Sequence, residues 1–587
     1  MTTLKRLLIV PILLLLLAGQ SWATTYVIDN DAAMLTAIST LGASDTIVID
    51  NSWTSTTGYI ITPNGVTIYG SSPSNTITLG VDNAYVFRLN GNTITIRDFT
   101  IDGNKASRTL GTGIGLAGYN ETVSGMTINN AFDYGVLAFG STTTHSINNN
   151  TITNTGGAGI VKTTYGNAIR LNTGSKANID NNVMSNDSSG SDVVFLNGTH
   201  SGFSITNNTI TGGISGIYEY CNTACDNIIV TGNSINNVAI AGAGDGIRLD
   251  AANSTVSNNT LTQSSDAPNA AWCFETAGGV SSSDNTIVSN NSCLGDYWDR
   301  SIGGGGSKVT WNRNKFRSIS GNIQQNNSGS AFNYNLFVTT GAATDTLQLD
   351  SNAAGARTAT LYNNVFYDAG TANNGLHFME TSGTWTGTAK NNIFYGFDNA
   401  VVVDDKDNNG IAFTHTNNDF YGNTKNIQKN VLGTFSDVSL DGTEITSDPL
   451  FVSTSDFHLT GSSPARNAGV DVGLTSDLDG KQILGLPDIG AYEFYLTEYI
   501  EYQNNMALFF GKTSTETLWD AQNRWFTALG FTNGGINQRW TDYLYSLGYT
   551  QPFPECQRLF FEEFTGVTGY QAAEREFYKK AVEEGYP

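Results

Sequence analysis

Short runs of alternating apolar and polar residues, each broken by Asn or Gly, recur along most of the 587-residue chain. The clearest mark is an Asn-Asn-Thr-Ile-like quartet, as in SITNNTITGG from Ser204 to Gly213. Alternation with a period of two predicts β-strands, and the Asn and Gly breaks predict turns. The residue before each Thr-Ile-like pair gives a set of markers spaced 21 to 32 residues apart: Phe99, Met126, Asn150, Asn182, Asn208, Asn233, Asn259, Asn291, Asn314, Asn335, Asn364, Asn392 and Asn418. A repeat of this length with three short strands is typical of a parallel β-helix, in which each copy forms one coil.

Stacking explains why Asn recurs at the same place. Successive coils lie one strand spacing apart, about 4.8 Å, so identical Asn side chains can hydrogen-bond up and down the stack. Asn also tolerates the left-handed backbone of a sharp turn, while the apolar residue that follows points into the core. Glycosylation at NNT and metal binding are the functional alternatives, and the regular placement of the motif in each coil favours the structural ladder.

The beginning of the chain differs from the repeat. Lys5 and Arg6 precede an apolar run that closes on SWA at Ala23, which predicts a cleaved signal peptide over residues 1–23. A membrane anchor is the alternative, but the run is short for a bilayer. Residues 24–92 then fit an N-terminal cap and the first coils. A short amphipathic helix over roughly residues 32–41 would cover the open strand edge.

The end of the chain has a period of its own. Residues 496–587 are rich in Trp, Tyr, Phe and Glu at helical spacing. Glycines fall 18 or 19 residues apart, each placed to end a short helix in the left-handed conformation: Gly511, Gly530, Gly548, Gly566 and Gly585. Thr513 with Glu516 fits a capping box. We expect a small array of short helices that serves as a cap or an attachment module.

Four segments carry a family resemblance. They are the opening TYVIDNDAAMLTAISTLGASDTIVIDN, NTITIRDFTIDGN at the entry into the coils, the series NNVFYDAG, NNIFYGF and NNDFYGN, and a closing segment from Asp448 to Phe494 that ends in LPDIGAYEF. They resemble secreted bacterial right-handed parallel β-helix proteins of the pectate-lyase-like superfamily. The resemblance covers roughly residues 25–495 and implies an all-β, right-handed parallel β-helix with its closing segment over residues 93–495. The pattern of the tail adds a small α-helical module over residues 496–587. It leaves the activity open, because the fold hosts lyases, hydrolases, epimerases, adhesins and phage tailspikes. The tail also resembles short LGYT modules of some phage virion proteins.

Charge and export narrow the partners. The net charge is −23, and it becomes −25 when Lys5 and Arg6 leave with the signal peptide. An acidic exported protein is a poor partner for nucleic acid or anionic lipid. No other apolar run is long enough to span a membrane. We predict a secreted or cell-surface protein that binds an extracellular polysaccharide, with no nucleic-acid partner and an oligomeric state that the sequence leaves open.

The five cysteines fit an oxidising compartment. The expected pairs are Cys221 with Cys225 and Cys273 with Cys293, which leaves Cys556 over. A zinc site at C-x3-C is disfavoured because no His is near. Motifs of nucleotide-binding proteins, zinc proteases and serine hydrolases are missing, as is the N-x-D, D-D and G-H-G set of the superfamily's hydrolases.

One charged and aromatic cluster stands out when the strand after each turn is aligned by its inward residue. The aligned residues are Ile114, Val136, Ile160, Ile217, Ile247, Phe274, Leu347 and Leu376. The next residue points outward, and in mid-stack this position is held by Tyr218, Arg248 and Glu275, with Tyr220 and Asp250 in the neighbouring column. Long insertions before Ile247, before Phe274 and from residue 295 predict the walls of a groove.

Such a groove suits a glycan, because aromatic faces stack on sugar rings and acidic groups bond hydroxyls. The predicted substrate platform is aromatic: Tyr218, Tyr220, Trp272, Tyr297 and Trp298. The predicted catalytic groups are charged: Arg248, Glu275, Asp250 and Glu219. Hydrolysis needs two carboxylates, about 5 to 5.5 Å apart for retention or about 6.5 to 9.5 Å for inversion. Asp250 with Glu275 fits the shorter distance, and Glu219 with Glu275 lies near or beyond the longer one.

Lyase chemistry is the other route. It needs a base that removes the proton beside a uronate carboxylate and a cation that stabilises the developing charge. Arg248 could supply this charge, with no cofactor or with Ca²⁺ on Asp245 or Asp250. The superfamily's lyases carry a Lys or Arg base, and no clear counterpart is found.

The leading hypothesis is therefore a carbohydrate-active protein that binds, and by lyase or hydrolase chemistry cleaves, a polysaccharide. Whether the protein is an enzyme stays open. The alternatives are a non-catalytic adhesin or glycan-binding stalk and a structural protein like a phage tailspike. An outward Arg between Tyr and Glu is also typical of a solvated surface pair worth under about 1 kcal/mol.

Overall fold

The computed structural model describes most of the chain in segments: residues 23–140, 143–156, 166–186, 191–221, 225–239, 243–264, 271–276, 284–295, 297–304, 308–325, 328–351, 356–380, 384–405, 411–483, 485–494, 505–513 and 516–583. The predicted signal peptide lies outside the described residues, apart from Ala23. The chain divides into two compact units, Met1–Glu493 and Phe494–Pro587. The first is a parallel β-solenoid and the second is helical, which confirms the predicted fold class. The finer division at residues 92 and 93 stays a prediction.

Sheet 1 is the longest of the parallel sheets. Its strands are Thr25–Ile28, Thr46–Ile49, Thr67–Gly70, Thr95–Arg97, Thr122–Ser124, Thr144–Asn148, Lys176–Asp180, Ser201–Thr206, Asp226–Thr231, Thr255–Ser257, Ile287–Ser289, Thr310–Asn312, Ser330–Asn333, Ala356–Tyr362, Thr384–Lys390 and Ala412–Thr416.

Sheet 2 follows sheet 1 directly in each coil, across a turn that carries an Asn from Asn150 to Asn418. Its strands are Trp53–Ser55, Thr76–Leu79, Thr100–Asp102, Thr127–Asn129, Thr151–Thr153, Val183–Asn186, Thr209–Gly212, Ser234–Asn236, Thr260–Thr262, Ser292–Leu294, Lys315–Ser318, Leu336–Thr339, Val365–Asp368, Ile393–Tyr395 and Asp419–Tyr421.

Sheet 3 completes the coil before the chain re-enters sheet 1. Its strands are Tyr59–Ile61, Tyr85–Leu89, Thr112–Leu116, Val136–Ala138, Ile169–Asn172, Val194–Asn197, Ile217–Tyr220, Gly244–Leu249, Ala271–Thr276 and Arg300–Gly304. Later coils use sheet 4 at this place: Asn322–Gln325, Asp345–Ser351, Asn374–Glu380, Asn399–Asp405, Lys425–Val431 and the antiparallel strand Thr434–Asp437.

The predicted Asn ladder is present at the turn from sheet 1 to sheet 2. From Asn150 to Asn418, each marker Asn donates its Nδ2 to the Oδ1 of the next at 2.9–3.0 Å. The same Oδ1 also accepts the backbone N–H of the Asn before it, as Asn233 Oδ1 does from Asn208 at 3.0 Å. All these Asn residues are buried. Since a buried amide must find partners for its donors and acceptor, the ladder is satisfied only while the coils stay in register.

The residue before each ladder Asn adopts the left-handed conformation. Its φ is +56° at Asn149 and +55° at Asn207, and Gly232, Arg313 and Tyr334 hold the same place with positive φ. This conformation turns the chain from sheet 1 into sheet 2 and costs Asn or Gly less than other residues.

The core consists of inward residues stacked coil on coil. Late in the stack five Phe rings form a file with successive centroids 4.8–5.2 Å apart: Phe316, Phe337, Phe366, Phe394 and Phe420. Offset stacking of this kind adds to the burial of apolar area. Both predicted disulfides are formed, Cys221 with Cys225 and Cys273 with Cys293, and Cys556 is a buried free thiol.

Helix α1, Asp31–Thr40, covers the first coils as predicted. Asn30 caps it, accepting the Ala33 N–H at 2.9 Å, and Met34 and Ala37 are its buried residues. The cap side chain satisfies one of the N–H groups that a helix start leaves without a partner.

The closing segment runs back along the outside of the Asn turns. The first Asn of three successive turns donates to its backbone: Asn417 to Ala468 at 3.0 Å, Asn391 to Val470 at 2.8 Å and Asn363 to Asp488 at 3.0 Å. Further back along the stack, Arg313 donates to Ser476 Oγ at 3.0 Å. The closing segment is therefore hydrogen-bonded to the outside of the turns of these later coils.

The helical module contains α2, Leu518–Ala528, α3, Ile536–Ser546, α4, Glu555–Thr565, and α5, Tyr570–Glu583. Gly511, Gly530, Gly548 and Gly566 adopt positive φ as predicted, whereas Gly585 lies outside the described residues. At the expected capping box, Glu516 Oε1 accepts the Thr513 N–H at 2.8 Å, but helix α2 does not begin there. Thr517 caps α2 together with Asp520, because the helix begins at Leu518. Among the described residues, no helix is both long and apolar enough to cross a membrane.

Candidate functional site

The predicted mid-stack alignment is confirmed by the register of sheet 3. Tyr218 pairs with Arg248, and Arg248 pairs with Glu275. These residues belong to one outward column, which we call the outer column. Its members in successive coils are Ile60, Arg88, Gly115, Leu137, Arg170, Phe195, Tyr218, Arg248, Glu275 and Gly303.

The alignment was wrong in one coil. There the register position belongs to Ile169, which pairs with Val136, and Ile160 lies outside the described residues. Arg170 and its neighbour Phe195 were therefore missed as members of the outer column. The alternating IRLN and VFLN runs carry the signal that would have found them. Leu347 and Leu376 do pair with each other, but in sheet 4.

A cavity of about 300 Å³ opens on this outer face. Three members of the outer column line it: Tyr218, Arg248 and Glu275. The other lining residues are Trp272 and the residues at the start of the strand that carries Arg248, namely Ala243, Gly244 and Asp245. Two of the predicted groove walls, the insertions before Ile247 and Phe274, thus contribute lining residues.

Arg248 lies at the centre of the lining. Its Nη1 donates to Glu275 Oε2 at 3.0 Å, and its Nε lies 3.6 Å from Asp250 Oδ1. The guanidinium carbon lies 5.0 Å from the centroid of the Tyr218 ring. Its side chain is 24% exposed, so solvent and a ligand can still reach it.

Burial and charge fix the protonation states around Arg248. Burial acts to lower the Arg248 pKa, but Glu275 and Asp250 outweigh it and the pKa is raised. Burial raises the pKa of Tyr218 to about 12, against the opposing effect of Arg248. Burial likewise raises the pKa of Asp250 to about 6, and Arg248 again opposes it. At neutral pH the site thus presents a guanidinium cation and a protonated phenol.

Trp272 forms a wall in the column beside Arg248. It pairs in register with Asp245 on one side and with Arg300 on the other, and the Arg300 guanidinium lies 5.1 Å from its ring centroid. A Cβ on Gly303 would lie 2.4 Å from the Trp272 ring. Gly303 therefore provides the space in which the indole lies over the outer column.

Glu219 does not belong to this face, contrary to prediction. Its side chain alternates inward between Tyr218 and Tyr220, and the residue is 0% exposed. Its Oε2 accepts the Asp250 N–H at 2.9 Å. Burial and the nearby Asp250 raise the pKa of Glu219 to about 8. It is a neutral core group near pH 7 and cannot serve the groove as a carboxylate.

Two other predicted groups are displaced from the cavity. Trp298 is 0% exposed and donates its Nε1 to Leu294 O at 2.9 Å, so it is a core residue. Asp250 is buried behind Arg248. Tyr220 and Tyr297 are exposed, as predicted, but neither lines the cavity.

Metal binding gains little support. Among the described residues, the one group of three or more candidate ligands within reach of one another is Glu219, Cys221 and Cys225. Its two sulfurs are joined in a disulfide, and only a thiolate is a good ligand. Neither Asp245 nor Asp250 belongs to such a group.

No family model matches the chain, and no curated protein matches it. Among solved structures, it is similar to an alginate lyase from Paenibacillus sp. str. FPU-7, with 15% identity, 53% of this chain and 95% of that chain covered, and a TM-score of 0.30. An alginate lyase of family PL6 in complex with a trisaccharide gives 13% identity, 81% and 96% coverage, and 0.34. A tailspike protein of E. coli bacteriophage HK620 in complex with a pentasaccharide gives 14%, 71% and 77%, and 0.34. Similarities this low carry no argument about activity, which has to rest on the site.

Proposed function

We propose that this is a carbohydrate-active protein that binds an extracellular polysaccharide in the cavity on the outer face of sheet 3. One observation supports this above all. The register of three successive coils brings Tyr218, Arg248 and Glu275 together beside Trp272, around an opening of about 300 Å³. A concave site with aromatic walls and a few polar groups is the usual form of a ligand site.

Each lining group has a part in binding. The Trp272 and Tyr218 rings offer flat apolar faces to a sugar ring. Arg248 donates to hydroxyl or carboxylate oxygens, since a guanidinium has five donors in a fixed fork. Asp245 and Glu275 accept hydrogen bonds from hydroxyl groups.

Cleavage in the same cavity extends this proposal. Asp245 and Glu275 are the two carboxyl groups of the lining, so Asp245 takes the place that was predicted for Asp250 or Glu219 as the partner of Glu275 in hydrolysis. For lyase chemistry, the Asp245 carboxylate would take the proton beside the uronate carboxylate, Arg248 would stabilise the charge that develops there, and the Tyr218 hydroxyl, whose pKa is about 12, would give a proton to the leaving oxygen.

A non-catalytic glycan-binding protein is the second candidate. The observation in its favour is that Arg248 is engaged by both Glu275 and Asp250. An ion-paired carboxylate is a weaker base and a weaker nucleophile than an unpaired one. In that case the cavity binds a glycan without changing it.

An extracellular location fits both candidates. The two disulfides persist best in an oxidising compartment. Secretion itself depends on the predicted signal peptide.

The test is to incubate the full mature chain with a panel of acidic and neutral polysaccharides, with calcium and with a chelator. Ultraviolet absorbance detects the unsaturated ends that a lyase makes, a reducing-end assay detects hydrolysis, and calorimetry detects binding. We expect the double variant Arg248→Ala, Glu275→Ala to lose the polysaccharide binding, and any product formation, that the wild type shows. Arg97→Ala on sheet 1 is the control, because Arg97 also lies over a ring, that of Tyr69.

The outcomes separate the candidates. Product formation that depends on Arg248 and Glu275 supports an enzyme, and binding without product supports the second candidate. Binding and activity that survive in the double variant would remove this site. Loss in the Arg97 control as well would show a structural effect and count against the assignment.

A further inference from the structure

The Cys221–Cys225 disulfide lies at the turn that joins sheet 3 to sheet 1. Cys221 directly follows the strand Ile217–Tyr220, and Cys225 directly precedes the strand Asp226–Thr231. Both cysteines are buried in the core. Their sequence separation is 4, against 20 in the other disulfide, so this cross-link restricts the unfolded chain less and stabilises the fold less.

Glu219 brings a carboxyl group to the same place. It precedes Cys221 by two residues, so both side chains lie on the inner side of the coil. A carboxylate oxygen of Glu219 and the sulfurs of Cys221 and Cys225 all lie within 4.8 Å of one another. In a tetrahedral zinc site, bonds of about 2.3 Å to sulfur and about 2.0 to 2.2 Å to oxygen place the ligand atoms about 3.6 to 3.8 Å apart. These spacings are within reach of side-chain rotation once the disulfide is open.

One oxygen of Glu219 has no hydrogen-bond partner in the part of the chain that the structure describes. Its Oε2 accepts the Asp250 N–H at 2.9 Å, whereas Oε1 is buried and unsatisfied. The residue is 0% exposed, so solvent does not compensate. A buried polar atom without a partner is costly, and a redox role or an ion is among the reasons for which it is retained. The carboxyl group thus has an oxygen available for a ligand beside the two sulfurs.

Backbone groups prepare this turn for a thiolate. The His200 N–H donates to Cys225 Sγ at 3.4 Å, and the Cys221 N–H donates to Asp250 Oδ2 at 3.5 Å. A hydrogen bond to the charged form of a group favours that form. Contacts of this kind also orient the ligands of a metal site.

We propose that reduction of the Cys221–Cys225 disulfide creates a Zn²⁺ site whose ligands are the two thiolates and the Glu219 carboxylate. A thiol reductant supplies the two electrons. The S–S bond breaks, both cysteines become thiols, and the reductant becomes a disulfide. Zn²⁺ then takes the place of the two thiol protons and the carboxyl proton, which pass to solvent, and the charge of the zinc ion does not change.

The ligand set determines the metal. Two thiolates with one carboxylate suit Zn²⁺, whereas Ca²⁺ and Mg²⁺ require a shell of oxygen atoms. Three protein ligands leave the fourth position of the tetrahedron to water. The turn therefore has two alternative cross-links, a disulfide under oxidising conditions and a zinc ion under reducing conditions. This site is independent of the polysaccharide cavity.

The test measures zinc binding to the full mature chain in both redox states. One sample is reduced with a dithiol, freed of it by gel filtration under argon and titrated with zinc sulfate by calorimetry. We expect one Zn²⁺ per reduced chain, and an affinity for the oxidised chain at least about a hundredfold lower. Co²⁺ in place of Zn²⁺ should give the near-ultraviolet absorption of metal–thiolate bonds. Circular dichroism verifies that the β-sheet survives reduction.

Variants identify the ligands. Glu219→Gln keeps the shape of the side chain but removes a charged ligand, and should weaken zinc binding by about a hundredfold, the effect of one ligand. Glu121→Gln is the matched control, because Glu121 is another glutamate with 0% exposure, and should leave the affinity unchanged. Replacing Cys221 and Cys225 by Ser should abolish binding, whereas the same change at Cys273 and Cys293 should preserve it.

Each opposite result overturns the proposal. A reduced chain that keeps its β-sheet signal and binds no zinc refutes the site, and so does a chain that unfolds on reduction. Zinc binding that survives the loss of Cys221 and Cys225 places the metal elsewhere. An unchanged affinity in Glu219→Gln refutes the carboxylate ligand. None of these results affects the proposed polysaccharide site, which is tested by Arg248 and Glu275.

Discussion

The Asn ladder and the outer column each use a single position of the coil. The ladder has the same residue type in successive coils, whereas the residue type in the outer column changes from coil to coil. In the ladder, identical buried side chains bond to each other at 2.9–3.0 Å from Asn150 to Asn418. In the outer column, the residue changes from Arg to Gly, Leu, Arg, Phe, Tyr, Arg and Glu between Arg88 and Glu275. The ladder is uniform because each rung is the partner of the next. The outer column is free to vary because its members pair or stack with unlike neighbours, as Arg248 does with Glu275 and Tyr218, and need no identical partner in the next coil. The repeated Asn ladder therefore fixes the register of the coils. That register brings chemically different side chains together on the outer face of sheet 3.

The largest expected effect comes from breaking the ladder. Asn259→Leu removes the acceptor of Asn233 and the donor to Val230 O, leaving buried polar groups without partners. We expect a loss of about 3 to 5 kcal/mol in the free energy of unfolding of the β-helix. Denaturation followed by β-sheet circular dichroism measures it. Thr260→Ala, one residue on and exposed, is the control and should cost less than about 0.5 kcal/mol. Equal losses would show that the ladder has no special weight.

The second effect tests the inner face within the site region. Replacing Cys273 and Cys293 by Ala together removes a cross-link with a sequence separation of 20 between two inward positions. We expect a cost of about 3 kcal/mol, mostly through the unfolded chain. Thermal unfolding checks it, with polysaccharide binding measured in parallel. We expect polysaccharide affinity to be unchanged at temperatures where the variant is folded. A loss of affinity in the folded variant would show that the outer face depends on this cross-link.

The third effect compares neighbouring residues on one strand, Glu219 inside and Tyr218 outside. Glu219 has a folded pKa raised from 4.5 to about 8 by burial, so the native state holds a proton that the unfolded state releases. The stabilisation is complete below about pH 4.5 and is lost as the pH rises to about 8, by at most about 1.4 kcal/mol per unit. Glu219→Gln should remove this slope, which unfolding at several pH values would show. Tyr218→Phe should leave it, and an unchanged slope in Glu219→Gln would place the carboxyl in solvent.

The smallest effect concerns the ion pair on the outer face. A double-mutant cycle of Arg248→Gln and Glu275→Gln should give a coupling energy under about 1 kcal/mol, since both groups keep some exposure and salt screens them. Unfolding at low and high salt measures it. A coupling above about 3 kcal/mol would make Arg248 part of the frame rather than of a binding face.

Much of the frame could be predicted from the sequence. The strand period, the ladder Asn residues, α1, both disulfides and the in-register trio at Tyr218 follow from local pattern and stacking. The failures have physical causes. Glu219 was expected outside because a charged residue rarely lies in a core, yet it is neutral there. Trp298 was expected on a loop platform, but its ring fills the core, and Ile160 was aligned because coil length varies.

The sequence by itself determined the repeat, since a two-residue alternation and a buried Asn at each turn permit only stacked coils in register. It also determined the chemistry available on each outward position. Tertiary structure alone decided which of these positions meet. Arg88 and Arg248 are 160 residues apart in the chain, and only coils of unequal length, closed to the same register, place them in one column. Because a one-residue shift would turn every side chain to the other face, the site exists only as a consequence of that register.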